Sequence, residues 1–223
     1  MRVRAIARVR RTAVALGAVA LLCAGSTGCS ATGGKVAQAG PPPVWQPADQ
    51  GLITWNYDPS NAGTTWNPTA RTNGCLFLTA VLLRSPATLT HVLYGLSGAQ
   101  PSGLTPGRNR IGLYSATGTL LAQTADQTPI WSDPARQKVN EVPWTTPRHA
   151  AAGRYYVVFL YNGVTSGLNF KASGAGPTAN AGAPPGLMRY SMIRAGAAEL
   201  PARLDLRRQV TPLPFNSQWI GLN

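Results

Sequence analysis

Nucleophilic, metal-assisted and acid–base chemistry each need particular residue types at particular spacings. This chain of 223 residues holds few of them: two histidines, three cysteines and seven acids. Metal sites built on His or Cys show recognisable spacings, and neither H-E-x-x-H, a Cys pair nor an acidic calcium loop occurs. His91 falls in a strand candidate and His149 in a loop, so both read as hydrogen-bonded structural residues. No metal or cofactor is expected. Glycoside hydrolysis needs two carboxylates about 5–9.5 Å apart. Asp126 and Asp133, which flank Trp131, are the best pair for that task, although Asp in a turn ordinarily caps backbone N–H groups. Neither a G-x-S-x-G elbow nor a phosphate-cradling loop is present. Catalysis stays open, with binding favoured over it.

Six Trp and seven Tyr are the richer resource. Sugars present apolar C–H faces that an indole or phenol ring can cover while nearby polar groups fix the hydroxyls. Trp45, Trp55 and Trp66 precede the first long strand candidate in a Pro/Gly-rich approach, and Trp131 and Trp144 lie in or beside a long connection. Pro129 before Trp131 and Ser132-Asp133-Pro134 after it are turn formers, so the expectation is a ring at the surface. Trp131, Trp144, Asp126 and Asp133 form the expected ligand-binding set. The competing reading is that each indole plugs an end of the domain.

These residues must be carried by strands. Charged residues make up 12% of the chain, with 24 Gly and 19 Pro, which excludes a coiled coil and a charge-driven disordered chain. Short apolar runs recur between turn signals at residues 76–83, 89–96, 110–115, 119–123, 139–144, 154–161, 187–193 and 217–222. Thr117-Gly118 joins the third and fourth runs as a tight hairpin. Pro143 demotes the fifth to an edge. The sixth, RYYVVFLY, is apolar on both faces and belongs in mid-sheet. Residues 174–186 form a low-complexity loop, and residues 195–208 hold one weakly helical stretch interrupted by Pro201. The fold class is all-β, a two-sheet antiparallel sandwich.

The first residues address the chain for export. Arg2, Arg4, Arg8, Arg10 and Arg11 are followed by an uncharged stretch over residues 12–28, the order of a secretory signal peptide. Ser26-Thr27-Gly28-Cys29 then resembles a bacterial lipobox, which implies that Cys29 becomes a lipidated first residue. Ser26 stands where that pattern usually has Leu, so plain cleavage at a small-residue site is the alternative. The expected organisation is a signal at 1–28, a flexible tether at 29–43 and one domain at 44–223. Cys75 is then the single thiol of that domain and reads as buried at a strand start. Removing the signal's five Arg takes the formal charge from +13 to +8. The remaining basic residues are scattered, which gives no nucleic-acid face. An anionic wall polymer is the available partner, with the membrane reached through the lipid anchor.

The run Asn109-Arg110-Ile111-Gly112-Leu113-Tyr114-Ser115-Ala116-Thr117-Gly118-Thr119-Leu120-Leu121-Ala122, with Trp131, Gly153-Arg154-Tyr155-Tyr156-Val157 and the terminal Trp219-Ile220-Gly221-Leu222, carries a resemblance. It resembles the jelly-roll modules of actinobacterial secreted proteins and of actinophage tail and fibre proteins. That resemblance covers roughly residues 75–223. It implies a jelly-roll-like sandwich with an adhesion or glycan-binding role, and it supplies no catalytic set. The expected function is a non-catalytic cell-surface module that binds glycan or wall polymer. The alternatives are a secreted carbohydrate hydrolase using Asp126 or Asp133, and a purely structural surface or assembly protein.

Overall fold

A computed structural model gives the fold and describes residues 44–98, 100–174, 178–211 and 216–223. The expectations for the signal, the tether and Cys29 lie outside these residues. Twelve strands form: β1 (Thr54–Trp55), β2 (Thr64–Trp66), β3 (Cys75–Leu83), β4 (Ala87–Gly95), β5 (Arg110–Ser115), β6 (Leu120–Gln123), β7 (Val139–Ala150), β8 (Gly153–Leu160), β9 (Phe170–Ser173), β10 (Tyr190–Arg194), β11 (Ser217–Gln218) and β12 (Ile220–Leu222). One α-helical turn, α1 (Thr128–Trp131), and several 3₁₀ turns complete the described elements. No described helix is long and apolar enough to cross a membrane.

The strands form an all-β sandwich. One sheet runs β1-β12-β4-β7 and the other β10-β3-β8-β5-β6, with a small sheet β11-β9-β2 beside them. Every pairing is antiparallel. β1 pairs with β12, β3 with β8, β4 with β7 and β5 with β6, the nested order of a jelly roll. The sheets are tied along both margins. Thr124 bridges to Trp144 between β6 and β7, and the Thr54 hydroxyl donates to the Leu82 carbonyl at 2.8 Å. Closing margins in this way covers backbone edges that would otherwise pair with another chain.

Strand β8 sits in the middle of its sheet, as its sequence predicts. Its inner face gives Val157 and Phe159 to the space between the sheets, where they meet Leu89, Val92 and Tyr94 of β4. Its outer face gives Tyr156, Val158 and Leu160 to a second apolar cluster. Leu200 and Leu204 close that cluster from the segment after β10. This segment was expected to be weakly helical. It is instead mostly irregular, and its one regular turn is 3₁₀, at Leu206–Arg208. Leu120 N–H donates to the Ala202 carbonyl and Leu204 N–H to the Gly118 carbonyl, so the segment bonds alongside β6 rather than to itself. Gly112 leaves the space that Leu200 fills: a Cβ there would sit 2.9 Å from Leu200 Cδ1.

Other elements follow their local chemistry. Gly118 takes φ of 84° in the β5–β6 hairpin, a conformation that a side chain would strain. Pro143 does lie in an edge strand, though β7 runs six residues beyond the expected stretch. The expected last strand divides at Trp219: β11 joins the small sheet and β12 the four-stranded one. Cys75 opens β3 and is buried. Burial pushes its thiol up against the opposing pull of Arg194, which leaves it mostly protonated at neutral pH.

Candidate functional site: a groove along the free edge of β3

Strand β10 pairs with β3 only as far as Thr79. Beyond that point the β3 edge meets the chain around β1 instead. Two cavities of about 370 and 430 Å³ lie along this edge. They share Asn56, Tyr57, Ala80 and Arg189 in their walls, so they form two ends of one groove. Each is large enough for a small ligand or one unit of a polymer.

The two ends differ in chemistry. One is lined by Trp55, Leu82, Arg84, Arg154 and Arg189. Register explains this grouping: Arg154 on β8 lies opposite Leu82 on β3, and the Arg189 carbonyl accepts from Ala80 N–H. Arg154 Nη1 donates to the Leu187 carbonyl at 3.2 Å and Arg189 Nη2 to the Asn56 carbonyl at 3.2 Å. The other end is lined by Tyr57, Asn61, Thr79, Ser173 and Ser217. The Tyr57 hydroxyl donates to the Ser217 carbonyl at 2.8 Å, and burial pushes its pKa well up despite the opposing hydrogen bond at Ser173. Thr79, whose residue borders this end, turns its side chain to the core face with Val157 and Tyr190; it is 1% exposed, and its hydroxyl has no hydrogen-bond partner among the described residues. Among the described residues no Asp or Glu stands in either wall.

The Asn56 side chain is a brace. Its amide donates to the Gln218 carbonyl and accepts from Ile220 N–H, which fixes the start of β12 against β1. Just upstream, Gln46 N–H donates to Asp49 at 2.7 Å and orders the turn Pro47–Gln50; Gln46 and Pro47 wall the groove. Trp45 immediately precedes Gln46 and is 64% exposed.

The residues singled out from sequence lie elsewhere. Trp131 is fully buried between the sheets, which corrects the expectation of a surface ring. It ends α1, its Nε1 donates to the Tyr94 hydroxyl at 3.1 Å, and its ring stands edge-on to Phe170 at 5.7 Å. The flanking turn formers set the backbone path, while the apolar area of the ring drives it inward. Trp144 is likewise buried, bridging β7 to β6, and its indole N–H has no partner. Neither can serve as a sugar platform.

Asp126 is half-buried and accepts from Gly107 N–H at 2.8 Å, Asn109 N–H at 3.1 Å and the Thr128 hydroxyl at 3.0 Å. Partial burial pushes its carboxyl up, but these hydrogen bonds outweigh burial and hold it below the usual range. A carboxyl kept ionised is unsuited to act as a general acid. Asp133 caps the turn Pro134–Arg136 by accepting from Ala135 N–H at 2.8 Å. His91 contacts the Thr90 hydroxyl at 2.9 Å, and His149 that of Thr88 at 3.4 Å. Among the described residues no three His, Cys, Asp or Glu groups come together as a metal site.

The groove escaped sequence reasoning because its parts are remote in the chain. Trp55, Thr79, Arg154 and Arg189 meet only through strand pairing. Trp55 and Trp45 precede the first long strand, and among the six Trp they are the ones not buried. In comparisons with known proteins, no family model and no curated protein matches this chain.

Proposed function

We propose that this chain is an exported, non-catalytic binding module that holds a glycan or wall polymer in the β3-edge groove. The observation that carries the reading is the make-up of that groove. It places the half-buried Trp55 and Tyr57 beside amide and hydroxyl groups, with no carboxylate in the wall. Such a wall can cover an apolar sugar face and orient its hydroxyls, but it offers no acid–base pair. Asp126 and Asp133, which the hydrolase alternative requires, are engaged as backbone caps. The Arg-rich leader and the Cys29 lipobox resemblance support export and a lipid anchor at the outer membrane face. The resemblance to actinobacterial jelly-roll modules supports the same surface role.

The test is a binding screen of the full chain against wall-derived polysaccharides, with Trp55→Ala in parallel. The reading expects at least one glycan to bind, and the variant to bind it about tenfold more weakly, since a lost stacking face is worth about 1.4 kcal/mol or more. It fails if no glycan binds, or if a folded Trp55→Ala protein binds as well as wild type.

A further inference from the structure

We infer that the Arg-lined end of the groove is a phosphoryl subsite, so that the ligand is a phosphate-bearing glycan rather than a neutral one. This inference rests on the glycan-binding reading and specifies its chemistry. Three arginines, Arg84, Arg154 and Arg189, line one cavity of about 370 Å³. None forms an ion pair among the described residues, whereas Arg136 and Arg207 pair with Asp133 and Asp205 elsewhere. A cluster of like charges with no counter-charge destabilises a fold unless something else fills that role. Two of the three guanidiniums are steadied by backbone carbonyls, each spending one of its five donors. The donors left exceed what the two oxygens of one carboxylate accept, and they suit the several oxygens of a phosphoryl group.

The far end of the groove gives an independent observation. Tyr57, Asn61 and Ser217 line the cavity that Arg189 shares. A hydroxylated sugar unit lying there has polar side chains to meet while its phosphate lies against the arginines. The groove thus recognises a phosphate and an adjacent sugar together.

The test titrates the full chain with dextran and with the same dextran bearing phosphate substituents, in low and high salt. Phosphatidylglycerol vesicles and inorganic phosphate are run beside them. Phosphodextran should bind about tenfold or more tighter than dextran, with the gap narrowing at high salt. Arg84→Gln, at an exposed position with no hydrogen bond or ion pair among the described residues, and Arg154→Gln should each remove a large part of that gap. Arg148→Gln on β7, outside the groove, should change neither. Inorganic phosphate should compete with phosphodextran. Equal binding of the two polymers overturns the phosphoryl subsite and leaves glycan binding standing. Binding of neither polymer overturns both readings. An equal loss in Arg148→Gln would show unspecific attraction by the basic domain and overturn the inference. So would tighter binding to phosphatidylglycerol vesicles than to phosphodextran, because the phosphate source would then be a lipid headgroup.

Discussion

Trp131→Ala should cost stability rather than affinity. The indole is among the largest fully buried side chains described, packed against Tyr161 and Phe170 at ring-centroid distances of 5.3 and 5.7 Å. Truncating such a ring to Ala costs about 3–5 kcal/mol from lost contacts and residual cavity. The Tyr94 hydroxyl also loses the N–H it accepts, while it keeps its own donation to Gln127 at 2.8 Å. That adds about 1 kcal/mol. A domain of this size shifts by about 2–4 °C per kcal/mol, so the melting midpoint should fall by about 10–20 °C. Trp131→Phe keeps most of the ring and loses the hydrogen bond, and should fall by about a third as much. Thermal melting followed by near-UV circular dichroism reads both. A Trp131→Ala midpoint within about 2 °C of wild type would refute the burial argument. A stable variant that had lost glycan binding would return Trp131 to the surface.

Four further outcomes follow from the same contacts. Thr79→Val removes a buried hydroxyl with no partner among the described residues and should raise the midpoint by a few degrees, about 1 kcal/mol; a drop in midpoint would show that the hydroxyl is satisfied. Asp126 has its native pKa below its unfolded value, so its stabilisation is present above about pH 4 and lost as pH falls through the native value. Melting between about pH 2 and 6 should therefore show a smaller acid-side loss in Asp126→Asn than in wild type, and parallel curves would contradict this. Cys75 should react with a thiol reagent only after denaturation, given its burial and raised pKa, and rapid labelling of the native protein would count against the β3 placement. Cys29→Ser should move the protein from the membrane fraction to the medium, and equal release of both forms would remove the lipid anchor.

The strand framework was legible because side-chain periodicity records burial directly. β8 shows apolar residues at both parities, and it lies between β3 and β5 with both faces covered. The hairpin at Gly118 was legible because few residues tolerate that φ. The short strands β1, β2 and β9 were not, since two to four residues carry no period and form only where a partner edge is offered. Residues 195–208 misled because Leu200 and Leu204 stand four apart, a helical spacing. The chain reaches the same sheet face irregularly, with Pro201 between them and partners on the β6 side. Trp131 misled because turn residues fix where the backbone bends and leave open which way a ring points. The groove was least legible of all, since the place where a short β10 ends and the chain around β1 takes over the β3 edge is a property of the assembled sheet and of no single segment.

The central claim is that ligand binds in the groove along the β3 edge. Chemical-shift mapping on the labelled protein, during titration with a wall-derived or phosphate-bearing glycan, tests it most directly. The account predicts that the largest changes fall at the Trp55 indole N–H, Tyr57, Ala80, Leu82 and Arg189, with the Trp131 indole N–H unmoved in the core. Changes centred on Asp126 and Asp133, or confined to the β4–β7 face, would contradict it.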